Sequence, residues 1–129
     1  MISANFNSEL GIFELKYSGN VNLEDILEFI RKHLDNNALL PRKLKILTDA
    51  RQIKFNFMPD DVSEIGREVK SLISQYTCIW DAFITDSPFE TAMTLLYKNV
   101  MKGYNHKFKT FITKDAALEW LLHDGKVVS

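Results

Sequence analysis

Asp49 and Arg51 stand two residues apart at the end of an apolar run, LKILTDAR, and are the first side chains in the sequence that could do chemistry. A carboxylate and a guanidinium so placed can bind an anion, take part in proton transfer, or bond to each other and to the backbone N–H groups of a turn. Turn capping is the commoner use of such an aspartate. Asp86 and Ser87, in TDSPFE, mark a second strand end of the same kind, and Thr113 marks a third. Asp49, Arg51 and Asp86 would supply acid–base and anion-binding groups only if they converge in one cleft. Ser87 lacks a Gly-x-Ser-x-Gly elbow, and the chain has no glycine-rich phosphate loop. Ser87, Pro88 and Glu90 instead read as the cap, first turn and capping-box acid of a helix.

His33, His106 and His123 are far apart, and none has a second ligand at helical spacing, so neither a metal site nor a cofactor is expected. Cys78 is the single cysteine and reads as a small buried filler; it excludes an internal disulfide. Asp81 is expected to open a strand and cap a turn, away from the rim that carries Asp49.

The 129 residues form one expected domain, 1–129, with 46% hydrophobic and 26% charged residues. The net charge is −1, from 16 basic and 17 acidic residues that are interspersed. With no basic stripe to displace counterions, nucleic acid is not an expected partner. No apolar run approaches the roughly 20 residues of a transmembrane segment. The opening MISANFNSELG has neither a basic nor an apolar signal region, so a cytoplasmic location is expected.

Several elements must position these groups. Alternation over residues 12–17 predicts a half-exposed strand, paired with a shorter one at 2–6 across a turn at Gly11. Asn22 and Asp25 open a helix whose stripe is Leu23, Ile26, Leu27, Ile30 and Leu34; Asn36, Asn37 and Pro41 stop it. A strand over 44–49 follows, then a helix from Pro59-Asp60 carrying Val62, Ile65, Val69, Leu72, Ile73 and Tyr76. A strand at 81–85 leads into the Ser87-capped helix, which ends at Gly103. A strand at 107–112 and a Thr113-capped helix with Ala117, Trp120 and Leu121 complete the chain. The fold class is therefore α/β: a mixed sheet, first strands antiparallel and the rest parallel through right-handed crossovers, flanked by about four helices. In such sheets ligands meet the carboxyl ends of the parallel strands. The expected binding rim is Asp49, Arg51, Asp60, Asp86 and Ser87.

The helix after Ser87 carries an apolar arc of about 180° at about 100° per residue, wider than a sheet-covering helix needs. Met93, Leu96, Tyr97, Val100 and Met101 are its centre. Core packing, a homodimer surface and a pocket for an apolar molecule each account for the surplus. Gly66, inside the second helix, costs about 1 kcal/mol against alanine. It implies close approach of another backbone.

The segments LKILTDAR, DAFITDSPFETAMTLLY and FKTFITKDAALEWLL together resemble the SpoIIAA-like branch of the STAS superfamily, in particular small stand-alone bacterial STAS-like proteins. The resemblance implies a mixed sheet flanked by helices that serves as a regulatory, protein-binding module without catalysis, its partner another protein or a second copy in a homodimer. Related proteins are switched by phosphorylation of a serine in an Asp-Ser-Ser-Gly-like turn at the second helix. Here FNFMPDDVSEI puts Pro59, Asp60 and Asp61 at that place, and Ser63 falls later, inside the helix. The phospho-serine switch is therefore not expected. SpoIIAA-like proteins also share topology with CRAL-TRIO lipid-transfer domains, which implies as the alternative a binder of a small apolar or lipid-like ligand.

Overall fold

The computed structural model describes residues 1–124; the last five residues of the expected domain, 125–129, lie outside the described residues. Strands β1 (Ile2–Asn7) and β2 (Ile12–Tyr17) pair antiparallel around Gly11, whose φ of 69° suits the turn. Strands β4 (Lys43–Asp49), β6 (Cys78–Ile84) and β7 (His106–Phe111) extend the sheet in parallel, in the order β1-β2-β4-β6-β7. Between them run β3 (Gly19–Asn22) and β5 (Ile53–Asn56), which form a separate two-stranded parallel sheet that the sequence does not suggest. GNVN is too polar to register as a strand, whereas IKFN, continued by Phe57, does alternate and is a strand signal that the sequence reading passed over.

Helices α1 (Leu23–Phe29), α2 (Val62–Lys70) and α3 (Pro88–Val100) each connect neighbouring parallel strands, and α4 (Lys114–Asp124) ends the described chain. The first three connections step across the sheet in one direction. A constant right-handed crossover then puts all three helices on one face. That face carries Phe13, Leu15, Ile46, Ile79, Phe83 and Phe108 into the larger core. Helix α4 covers the other face with Ala117 and Leu121, against Ile12, Leu47, Trp80 and Ile84.

Local chemistry explains the helix ends. The Asp25 N–H donates to Asn22 Oδ1 at 2.8 Å, and the Asn22 N–H donates to Asp25 Oδ2 at 3.0 Å, a full capping box. Thr113 Oγ1 accepts the Ala116 N–H at 3.2 Å. The second helix ends at Lys70, earlier than expected; Leu72, Ile73 and Tyr76 are still buried, in a turn and a short 3-10 segment. The Tyr76 hydroxyl donates to the Leu34 carbonyl at 2.6 Å, fastening that segment to the end of the first helical stretch. The expected capping box at Ser87 does not form. Ser87 makes no side-chain cap bond, and Glu90 turns inward, 4% exposed, where Oε2 accepts the Phe55 N–H at 3.3 Å. The β5 strand needs a partner for that N–H more than the helix end needs a second cap.

At Gly66 the close neighbour is a side chain. A Cβ there would lie 2.4 Å from Val100 Cγ1, so the missing side chain is what lets α2 and α3 pack.

Candidate functional site

The four parallel strands end on one rim, where two of the three expected strand-end threonines point inward: Thr48 and Thr85 are 0% and 1% exposed, while Thr113 is exposed and caps α4. At the rim, Arg51 grips Asp49 with two parallel bonds, Nε to Oδ1 at 3.0 Å and Nη2 to Oδ2 at 2.8 Å. The Arg51 N–H adds a third, to Oδ1 at 3.3 Å. The side-chain bonds from Arg51 hold the Asp49 carboxyl below its ordinary range. Asp49 and Arg51 thus close their own turn. Asp86 is exposed and near enough to add to the field that favours the charged guanidinium. The half-buried Ser87 donates its N–H to Thr85 Oγ1 at 3.4 Å. Asp60 lies elsewhere, in the 3-10 turn Pro59–Asp61 that enters α2, where its carbonyl accepts the Ser63 hydroxyl at 3.0 Å. No hydrogen bond or ion pair joins Asp60 to the Asp49–Arg51 pair among the described residues. The strand order also never reverses, so the connections from β2, β4 and β6 leave toward the same face and open no crevice between them.

The apolar set on α3 divides. Met93 and Tyr97 face the sheet, Met101 is buried, Val100 fills the space over Gly66, and Leu96 turns outward at 43% exposure.

Met93 and Tyr97 lead to a feature that the rim argument passes over, a cavity of about 90 Å³ between the sheet and α1–α3. Its walls are mostly apolar, with Ile26, Phe29 and Ile30 from the first helical stretch, Val62 and Ile65 from α2, and Phe55 from β5. One polar group of residues interrupts them: Tyr17, Asp81, Thr94, Tyr97 and His106. Pleating explains the selection, since Ile79, Asp81 and Phe83 share one face of β6, and His106 and Phe108 continue it on β7. Asp81 therefore does not cap a turn at the start of a strand, as the sequence reading had it. It sits in the middle of β6, and the surface it keeps is cavity wall.

Among the described residues the Asp81 side chain has one hydrogen bond, to Oδ1 from the Thr48 hydroxyl at 3.0 Å. Burial pushes its carboxyl up to about 7, against the opposing pull of Thr48. Both ring nitrogens of His106 are buried without a hydrogen-bond partner among the described residues, and burial lowers this imidazole to about 4. The Tyr97 ring meets the edges of His106 and Phe108, with centroids 5.4 and 5.0 Å apart. The Tyr17 and Tyr97 hydroxyls have no hydrogen-bond partner among the described residues, and burial, then the Asp81 charge, raises both above the ordinary phenol value. Asp81 and His106 make no ion pair. The arrangement holds a polar tip inside an apolar shell. The signal was in the sequence, as a carboxylate inside the β-forming run CIWDAFI at a position that alternation assigns to the core face.

Among the described residues no three His, Cys, Asp or Glu side chains gather as a metal would require, and no helix is long and apolar enough to cross a membrane. No curated protein matches the chain. A crystal structure of an uncharacterized DUF3478-family protein with a SpoIIAA-like fold, from Shewanella loihica PV-4, superimposes with a TM-score of 0.60 at 18% identity, covering 94% of this chain and 92% of that one. The sequence model of the family described as SpoIIAA-like matches residues 12–122. The chain therefore belongs to the SpoIIAA-like family, with its STAS-like mixed sheet.

Proposed function

We propose that this chain is a non-enzymatic, cytoplasmic binding module that takes a small, largely apolar molecule between its sheet and helices α1–α3. The observation that carries this is the cavity of about 90 Å³, apolar except for one group of polar side chains, of which Tyr17 and Thr94 are buried and Asp81, Tyr97 and His106 half-buried. Protein interiors are close-packed, so a space of this size lined by unbonded hydroxyls and imidazole nitrogens favours an occupant. The absence of a phosphorylatable serine at Pro59-Asp60-Asp61 supports control by occupancy rather than by phosphate. Native mass spectrometry of gently purified protein tests the reading. A co-purifying mass that disappears in Thr94→Leu, which crowds the cavity, is expected; an unliganded mass, together with no response to any added small molecule, would end it.

A protein-binding role is favoured by a separate observation, the outward side of α3, where Phe89, Leu95 and Leu96 are exposed. The partner is another protein or a second copy of the chain. Light scattering of the wild type and Leu96→Glu distinguishes the second copy, because only a dimer through this side would fall to monomer mass. Tyr97 is unsuited to that test, since it faces the cavity. The rim residues Asp49, Arg51, Asp86 and Ser87 would border such an interface at the start of α3, whereas Asp60 would contribute from the start of α2.

A further inference from the structure

We propose that the cavity selects a compact organic cation, an alkylammonium or methylated ammonium group, with Asp81 as its counter-ion and aromatic rings as its walls. This rests on the cavity being a ligand site and assigns the chemical class of that ligand. Among the residues lining the cavity Asp81 is the one that can carry charge at neutral pH, and no Lys or Arg reaches it. Helices α1 and α2 present only apolar side chains there. An anionic headgroup would therefore meet no positive partner and one carboxylate.

The carboxylate is also incompletely served. Thr48 bonds Oδ1, and Oδ2 has no partner among the described residues. An ionised carboxylate held this way in apolar surroundings is unfavourable until a cation joins it. The rings needed to hold that cation are already assembled. Phe108 is the cross-strand partner of Asp81 on β7, and Phe83 stands two residues along β6. Phe83 lies 5.6 Å from Phe108 and 5.9 Å from Tyr17, while Tyr97 lies 5.0 Å from Phe108. Aromatic faces with one carboxylate are the chemistry that recognises ammonium groups. The unpartnered hydroxyls of Tyr17 and Tyr97 and the unprotonated nitrogen of His106 add acceptors for N–H donors. The volume sets the size. It is smaller than the roughly 150 Å³ cavity that admits benzene, so a compact head fits and a large ring does not.

Three small probes with a two-carbon body test this: ethylammonium, ethanol and acetate, titrated by NMR against the wild type and Asp81→Asn. The ammonium is expected to bind the wild type about tenfold or more tightly than the alcohol at pH 8, acetate not at all, and Asp81→Asn to remove the preference. Ammonium affinity should fall about tenfold per pH unit below about 7, as Asp81 protonates, while alcohol binding stays flat. His106 titrates lower, and Tyr17 and Tyr97 far higher, so none of the three shapes that window. The wild-type pH series holds even if Asp81→Asn does not fold. Alcohol binding equal to ammonium binding, or any preference for acetate, overturns the cation assignment and leaves the cavity reading standing. Binding of none of the three overturns both.

Discussion

Replacing either buried titratable group of the cavity should reveal a pH dependence of folding that the wild type conceals. Asp81 moves from an ordinary 3.8 to about 7 on folding, so between those values the folded chain holds a proton that the unfolded chain has released. Its contribution to stability therefore falls as pH rises from about 4 to 7, by roughly 4 kcal/mol at about 1.4 kcal/mol per pH unit. His106 does the reverse. It moves from 6.5 to about 4, so between those values the unfolded chain holds the extra proton, and stability rises with pH by roughly 3 kcal/mol. Over pH 4 to 6.5 the two slopes cancel. Denaturant unfolding at half-unit pH steps, compared between proteins to remove the shared background of surface groups, reads each contribution. Asp81→Asn should gain stability relative to the wild type by about 4 kcal/mol as pH rises from 4 to 7. His106→Phe should lose about 3 kcal/mol relative to the wild type as pH rises from 4 to 6.5. Parallel curves for all three proteins would refute the burial argument for both groups.

Gly66→Ala should destabilise by about 1–2 kcal/mol, overpacking against Val100 outweighing the gain of about 1 kcal/mol in helix propensity. In a Val100→Ala background the same change should stabilise by up to about 1 kcal/mol; thermal melts of the four proteins read the reversal. Tyr76→Phe leaves the buried Leu34 carbonyl without its hydroxyl and should cost about 1–2 kcal/mol in urea unfolding. Asn22→Ala removes the cap of α1 and should cost about 1 kcal/mol by the same assay, with no change in ligand response.

The fold was legible because its signals are local and repeated. Asn22 with Asp25, Thr113 and the alternation of Ile12–Tyr17 each specify an element without help from distant residues. The parallel order follows from crossovers of constant hand. What tertiary pairing fixes was not legible: β3 forms because Val21 meets Phe55 across the chain, and Glu90 abandons its helix end for the Phe55 N–H, although β5 itself shows alternation from Ile53 to Phe57. Charged side chains do stand at the rim, where Asp49 and Arg51 bond to each other and Asp86 adds to the field on the guanidinium. The strand-end argument cannot see a cavity, which is a property of how three helices rest on a sheet. A buried aspartate reads as a turn residue until the strand is known to run through it, as β6 runs through Asp81.

The most direct measurement is the ¹³C shift of the Asp81 carboxyl, followed through pH with and without ethylammonium. A midpoint near 7 that drops when the ammonium is present is the expected result, since a bound cation favours the ionised form. A midpoint near the ordinary 3.8, unmoved by the ammonium, would mean that Asp81 faces water and that no ligand chamber lies between the sheet and its helices.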